Sequence, residues 1–420
     1  MANLKKNRGD LILILLSLVP LLFWFSPSKF TSLGSSFQAL GQAAGLVGAA
    51  MFSLVILLSV KIKWLDDHFN GLNKVYKTHH TLGAVAFILL LLHPIFLTIQ
   101  YMTYSFNAGF SFFFLNNTLS ILFGKISLLL MIVALILTFF IILRYERWKF
   151  FHKFLAYSFL LASLHVYLIP SDVSRNLPLR IYMLSLIGAA IFCSFILRHL
   201  IKKTYAYYIT EVKQMHEITE ITLAPEKEEL KFKPGQFLFI KFKTMSEQHP
   251  FSISSSPSEK ELKISVKNLG DYTSQIKNLT AGTKAEIHGP FGKFLPGDFK
   301  EQIWVAGGIG IAPFLGVARG IKNFPEVKAT LFYTTTNKKE AVYLDELGKI
   351  SKSHANLKVI PWFTEEKGRI TLEAIRKLAS IENKEIFLCG PVSMMRSLRL
   401  QLVSNGISKH KIYSEEFNLQ

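Results

Sequence analysis

Long apolar runs crowd the first half of the chain and cease near Lys203; beyond it, hydrophobic and polar positions alternate over short stretches broken by Gly and Pro. Crossing a bilayer as a helix takes about 20 predominantly apolar residues. Six stretches meet or approach that length, near residues 11–26, 38–60, 78–100, 119–143, 150–169 and 180–200. The first is short, and the fifth carries two histidines. The run from Leu11 to Phe25 has the length of a signal peptide. No small-x-small cleavage site follows it cleanly and more spans come after, so it reads as a retained first helix.

After Lys203 the pattern changes twice. From Tyr205 to about Phe299, short alternating runs with Gly/Pro turns predict a small antiparallel barrel. From Glu301, strands alternate with Gly-rich turns and helices, which predicts a parallel sheet with ligands at the C-terminal ends of its strands. Three domains follow: a six-helix transmembrane domain over 1–203, an antiparallel β-barrel over 204–299, and an α/β domain over 300–420.

Composition and charge narrow the class. Half of the residues are hydrophobic and 18% are charged, which is apolar for a soluble protein. A net charge of +19 would ordinarily raise nucleic acid as a partner. Residues 1–203, however, hold 18 Lys/Arg against 5 Asp/Glu, and the remainder 30 against 24. Most of the excess flanks the apolar runs, where positive-inside topology and anionic lipid account for it, so no nucleic acid is expected. The loops alternate in charge. Lys5, Lys6 and Arg8, then Lys61, Lys63, Lys74 and Lys77, then Arg144, Arg147 and Lys149, then Arg198, Lys202 and Lys203 mark one side. The other side has little beyond Lys29 and Arg175. This predicts a multi-pass protein of the cell membrane with both termini cytoplasmic. Cys193 lies in an apolar helix and Cys389 in the soluble half, so no disulfide is expected, and no Cys/His zinc spacing is present.

Polar residues inside a span are costly and usually functional. The third run carries His79 and His80 near its start and His93 farther along; the fifth carries His152 and His165. Both helices run from inside to outside, so His79 with His152 and His93 with His165 can face each other at two depths. Fourteen residues from His79 to His93 give a rise of about 21 Å with a rotation about 40° short of full turns. Thirteen residues from His152 to His165 give about 19.5 Å but about 140° off a common face. Either that helix is distorted or its two imidazoles approach from different sides. His80 is the alternate to His79. Paired imidazoles fill both axial positions of a haem iron, which then relays electrons and binds no substrate. The competing reading is hydrogen bonding between helices. His68 and His199 lie at the cytoplasmic edge and read as solvated.

In the soluble half, Lys233-Pro-Gly-Gln-Phe237 precedes His249-Pro250-Phe251-Ser252-Ile253-Ser254. An aromatic-Ser-Ile-Ser strand can lay Phe251 against a flat ring while hydroxyl and backbone groups bond the ring's edge. Lys267, Gly270 and Thr273 follow within 266–273, and bare amides of that turn can meet phosphate. Next comes Gly289-Pro-Phe-Gly292. The turn holding Gly307, Gly308, Gly310, Ala312 and Pro313 admits a pyrophosphate close to a helix N-terminus. A later strand opens into Cys389-Gly390-Pro391, with Met394 starting the next helix.

Together these residues resemble the NADPH oxidase and ferric reductase superfamily, most closely the compact prokaryotic NADPH oxidases, over almost the whole chain. The resemblance implies a six-helix haem bundle followed by a ferredoxin-reductase-like module. It places haem ligation on His79, His93, His152 and His165, whose spacings of fourteen and thirteen are those of the family. His249–Ser254 is similar to the family's flavin motif, Gly307–Pro313 to its pyridine-nucleotide glycine motif, and Cys389-Gly390-Pro391 to its nicotinamide-proximal motif. Glu415-Glu416-Phe417 resembles the acidic-aromatic ending whose ring covers the flavin, which gives that place to Phe417.

The resemblance therefore implies two haem b groups, FAD and NADPH or NADH, with electrons passing to dioxygen to give superoxide, or to a ferric chelate. A haem-binding sensor or a channel is the reading from another class. Two features depart from the pattern or leave it open. Many soluble ferredoxin-reductase relatives carry Arg where His249-Pro250 stands, though the oxidases share the His-Pro form. Lys338 and Lys339 stand where relatives can carry an arginine for the 2′-phosphate, which leaves NADPH against NADH open. Lys125 and Arg180, near the outer edge, read as interfacial anchors. Lipid and a small-molecule acceptor are the expected partners. No regulatory insert is visible in the sequence and no obligatory protein partner is expected.

Overall fold

Where water is absent, backbone polar groups must bond within their own segment, so apolar runs fold as helices. The computed structural model describes residues 8–60, 63–69, 71–115, 118–139, 141, 145–197, 203–245, 247–294 and 300–415. The chain divides into two units, Met1–Ile201 and Lys202–Gln420.

The first unit contains α1 (Arg8–Trp24), α2 (Leu33–Leu58), α3 (Leu72–Met102), α4 (Leu119–Phe139), α5 (Tyr145–His152), α6 (Phe154–Leu168) and α7 (Leu177–Ile191). Among the described residues, α2, α3, α4 and the stretch Leu177–Ile196 are long and apolar enough to cross a membrane. α1 has 17 residues and α6 has 15, so single-helix lengths do not by themselves reach a count of six. α3 begins earlier than its apolar run because Asn73, Lys74 and Lys77 extend the helix past the hydrocarbon on polar turns. The fifth run is divided. α5 ends at His152 and α6 begins at Phe154, and at Lys153 the bonding tightens to a three-residue turn, Ala156 N to Lys153 O at 3.0 Å.

Small residues let helices approach in lipid, and interhelical hydroxyl bonds hold them there. Gly41 and Gly48 on α2 face Leu97 and Leu90 of α3; a Cβ on either glycine would lie 2.9 Å from a leucine side chain. Buried Ser127 on α4 and Ser158 on α6 each donate to the other's carbonyl, at 2.7 and 2.8 Å. Lys29, one of the few basic residues expected on the outer side, pairs with Asp172 at 2.9 Å. That neutralisation sharpens the charge asymmetry between the two sets of loops.

The second unit opens with six strands: β1 (Tyr205–Met215), β2 (Ile218–Pro225), β3 (Phe237–Phe242), β4 (His249–Ser252), β5 (Leu262–Lys267) and β6 (Lys284–Phe291). They pair antiparallel in the order β4-β3-β6-β1-β2-β5. An isolated bridge between Ile253 and Ile264 joins the two edges and closes the sheet into a barrel. Tyr207, Ile209, Ile221, Leu238, Ile240 and Phe242 fill its core. Five parallel strands follow: β7 (Glu301–Gly307), β8 (Lys328–Thr335), β9 (Leu357–Phe363), β10 (Glu385–Cys389) and β11 (Ile412–Glu415), in the order β11-β10-β7-β8-β9. α8 (Asp271–Ile276) lies in the barrel domain; α9 (Ala312–Arg319), α10 (Leu344–Ser353), α11 (Leu372–Leu378) and α12 (Val392–Ser404) belong to the parallel sheet. The chain leaves β7 in one direction toward β8 and later returns on its other side as β10. The ends of β7 and β10 therefore flank the switch point, where open α/β sheets bind ligands. Phe294 stands edge-on to Phe314 at 5.5 Å and to Phe387 at 5.7 Å, continuing the hydrophobic core past the barrel's last strand.

Candidate functional site

α3 and α6 bring the four histidines into two pairs. The ring centroids of His79 and His152 lie 6.2 Å apart, and those of His93 and His165 lie 6.4 Å apart. Two metal–imidazole bonds of about 2 Å, with about 1.1 Å from each bonding nitrogen to its ring centre, give about 6.2 Å between centroids. His80 is exposed, with its ring edge-on to Phe139 at 5.3 Å, so it is His79 that stands opposite His152. The phase offset between His152 and His165 follows from the interruption at Lys153: the two lie on different helices, and an unbroken 3.6-residue repeat does not run between them.

Three of the rings are anchored by backbone. His79 Nδ1 lies 2.9 Å from Val55 O, His93 Nδ1 2.7 Å from Gly41 O, and His165 Nδ1 2.7 Å from Ser120 O. Only a protonated Nδ1 can donate to a carbonyl, so each neutral ring presents Nε2 as a bare lone pair, the form that binds metal. α2 runs antiparallel to α3, and its carbonyls of Gly41 and Val55 are fourteen residues apart, matching the fourteen between His79 and His93. Two glycines make room for the rings. A Cβ on Gly45 would sit 2.6 Å from His93 Nδ1, and one on Gly124 2.9 Å from His165 Nδ1. Each lies four residues after the acceptor, Gly41 or Ser120, where a side chain would cover that carbonyl. His152 differs: its Nδ1 is buried with no hydrogen-bond partner among the described residues, and its ring stacks on Trp148 at 5.0 Å. The donor set and the space suit two iron porphyrins.

In the barrel, β4 carries the His249–Ser252 segment. His249 stacks on Tyr272 at 3.7 Å and bonds Glu247 at 2.9 Å; Phe251 lies farther along the same row of rings, 6.4 Å from Tyr272. Burial, with Glu247 nearby, pushes the Tyr272 phenol well above its ordinary range, so it stays a neutral ring. Ser252 Oγ is buried without a partner among the described residues, as expected of a hydroxyl that a ligand would satisfy. Ser254 is fully buried and its Oγ accepts from Ser265 at 3.0 Å. The turn at 269–270 is not made of bare amides. Leu269 N and Gly270 N both donate to Thr273 Oγ1, at 2.9 and 3.0 Å, because Thr273 caps α8. Lys267 pairs with Glu217 at 3.1 Å.

At the switch point the glycines divide into two kinds. A Cβ on Gly310 would lie 2.3 Å from Cys389 O, and one on Gly307 2.7 Å from Pro391 Cδ and 3.0 Å from Met394. These positions, with Gly390, pack the two strand-end turns against each other. Gly308, with φ +53°, has open space beside it, as does Gly270. Cys389 is fully buried; burial, with the Glu415 carboxylate beside it, raises its thiol well above the usual range, so it is held as a neutral thiol. Ala312 and Pro313 form the first turn of α9. Lys338 and Lys339 are exposed on a short turn that Asn337 caps. Phe417 lies outside the described residues.

Three family models match in tandem along the chain: a ferric reductase like transmembrane component over residues 44–163, an FAD-binding domain over 203–312 and an oxidoreductase NAD-binding domain over 304–399. The chain has the NADPH oxidase and ferric-reductase-like architecture. A ferric-reductase-like transmembrane region is thus followed by an FAD-binding and an oxidoreductase NAD-binding domain. Flavohemoprotein A of Dictyostelium discoideum is 29% identical over 207 residues, 44% of this chain and 52% of the relative, so the chain spans about half of that protein. Sulfhydrogenase 2 subunit gamma of Pyrococcus furiosus is 28% identical over 209 residues, 44% of this chain and 72% of the relative. A flavohemoglobin crystal structure from Malassezia yamatoensis aligns with TM-score 0.52 at 18% identity over 92% of this chain and 99% of its own, a likeness of fold alone.

Sequence reasoning about this reductase missed the carbonyl anchors, which leave no side-chain signature, although Gly45 and Gly124 mark them indirectly. It also missed Tyr272, whose role emerges only when the 266–273 turn is folded against β4.

Proposed function

We propose that the chain carries electrons from cytoplasmic NAD(P)H through FAD and two haem b groups to dioxygen beyond the membrane, which leaves as superoxide. The observation that carries this reading is the pair of facing imidazoles at two depths, with ring centroids 6.2 and 6.4 Å apart. When bound, FAD supplies the conversion of a two-electron hydride into single electrons and the haems supply a one-electron relay.

The chain's own residues do the holding. His79 and His152 make the inner pair and His93 and His165 the outer one, with Val55, Gly41 and Ser120 fixing the proton of three rings on Nδ1. His249–Ser254 would hold the flavin, and Gly308 opens the nucleotide turn. Cys389, Gly390, Pro391 and Met394 would shape the nicotinamide end, and the resemblance gives Phe417 the place of the residue that would cover the flavin. Lys338 and Lys339 act as point charges for a 2′-phosphate. The charge asymmetry of the loops puts both termini in the cytoplasm, where NAD(P)H is. Lipid and the small-molecule acceptor are its partners.

A visible spectrum of the purified chain with FAD, before and after NADPH, tests this reading. Two low-spin haems per chain that reduce on mixing are the expected result, with His93→Ala losing about one of them. A colourless chain ends the proposal. The likeness of residues 44–163 to a ferric reductase like transmembrane component favours a second acceptor, a ferric chelate. Dismutase-sensitive cytochrome c reduction measured against ferric-chelate reduction separates the two.

A further inference from the structure

The reductase unit buries one guanidinium whose work the hydride route does not explain. Arg319 ends α9, the helix that begins at the nucleotide turn, and its side chain is 8% exposed. It donates to Glu346 at 2.7 and 3.0 Å within its own domain. It also reaches the barrel, donating to Glu220 on β2 at 2.8 Å and to the carbonyl of Ser254 at 3.0 Å. Tyr343, fully buried, completes the cluster: its hydroxyl lies 2.7 Å from Ser265 Oγ and 3.3 Å from Glu220. Ser265 in turn donates to Ser254 Oγ at 3.0 Å. The same helix face is pared down to meet this strand. A Cβ on Gly316 would lie 2.9 Å from Ser255 O, and one on Gly320 would collide with Ser256 Oγ.

We propose that Arg319 is a positioning residue for hydride transfer: it ties the far end of the nucleotide-turn helix to the backbone of the flavin strand and so fixes the distance between the two half-sites. A hydride moves only when donor carbon and flavin nitrogen are held near contact, and small displacements cost large factors in rate. α9 presents nucleotide-binding backbone at its first turn and clamps Ser254 at its last, two turns away. A guanidinium suits the task because its planar fork satisfies three acceptors in fixed directions, whereas an ammonium does not. This inference rests on the NAD(P)H–FAD route and not on the haems.

The test uses the full chain in detergent, as Arg319→Met, Arg319→Lys, Tyr343→Phe and the pair Glu220→Gln with Arg319→Met, which leaves no unpaired buried carboxylate. With FAD saturating, stopped-flow reduction by NADPH is expected to slow at least tenfold in Arg319→Met, with little change in the NADPH concentration at half-saturation. The long-wavelength charge-transfer absorbance of stacked nicotinamide and flavin should fall with it. Arg319→Lys is expected to recover part of the rate, and Tyr343→Phe to lose two- to fivefold. In flavin-free protein, amide exchange across 252–256 should rise in Arg319→Met while the core of β1 stays protected. If Arg319→Met fails to fold, the double variant carries the same expectations. Wild-type reduction rates in a variant that holds FAD, or a rate loss that added FAD fully restores, would overturn the proposal. A wild-type chain whose flavin NADPH does not reduce would instead sink the parent route.

Discussion

The two units of this chain fix the parts of their candidate sites with opposite materials. In the membrane unit the anchors are backbone carbonyls of Gly41, Val55 and Ser120, each taking one imidazole N–H, with Gly45 and Gly124 cleared of side chain. In the reductase unit the anchors are charged and hydroxylated side chains, with Arg319 at their centre. The reason is the solvent. A charge inside hydrocarbon is expensive, whereas a helix carbonyl with a spare lone pair is already present at every residue. A soluble unit has no such shortage, and a buried ion network there can be satisfied completely, with Glu220, Glu346 and Ser254 all engaged by one guanidinium. Precision in the apolar unit thus comes from helix register, and precision in the reductase-like unit from side-chain geometry.

That contrast breaks first at the glycines. Gly124→Leu places a side chain where the His165 ring lies and is expected to abolish binding of about one of two haems, read by pyridine haemochrome. Gly45→Leu should do the same through His93, whereas Gly188→Leu, with open space beside it, should leave both in place. Next in size, Gly310→Ala forces a Cβ to within 2.3 Å of Cys389 O. It should destabilise the reductase unit by about 1–3 kcal/mol, the usual cost of overpacking, measured as a lower temperature of FAD release. Gly270→Ala, at an extended φ with open space, should shift that temperature little.

The third effect depends on pH. Cys389 is kept neutral in the fold, with its thiol raised by burial and by Glu415, while an unfolded thiol ionises near about pH 8.5. A raised folded value means the contribution is whole below that pH and is lost as pH rises above it. The loss is at most about 1.4 kcal/mol per pH unit. Cys389→Ser should flatten the fall in the FAD-release temperature between pH 8 and 10; an unchanged slope counts against this assignment. The smallest effect is expected at Ser127→Ala, which removes one of two reciprocal hydroxyl bonds and should cost about 0.6–1.7 kcal/mol, as such bonds do in membranes. Double-mutant cycles with Ser158→Ala measure it.

Much of this was legible in the sequence for identifiable reasons. Apolar run length located α2, α3 and α4, because lipid leaves a run no alternative to helix. The fourteen-residue step from His79 to His93 lies on one unbroken helix, so counting at 100° per residue worked. The same counting failed for His152 and His165 because the interruption at Lys153 carries no Pro or Gly to announce it. The turn at 269–270 differs from its sequence reading for another reason: its amides are expected to meet phosphate, but the Thr273 hydroxyl accepts two of them. Most of the switch-point glycines pack turn against turn, and only Gly308 stands in open space. Arg319 gave no signal, since its acceptors in the barrel lie 65 and 99 residues away along the chain.

The interruption at Lys153 has one more implication. α3 carries both of its imidazoles on a single uninterrupted rod, so the separation between the two levels is a fixed length, as on a ruler. The opposing element is interrupted between its two imidazoles. His152 and His165 therefore sit on separate helices, so substitutions near residue 153 are expected to shift one ring relative to the other while the separation set by His79 and His93 stays fixed.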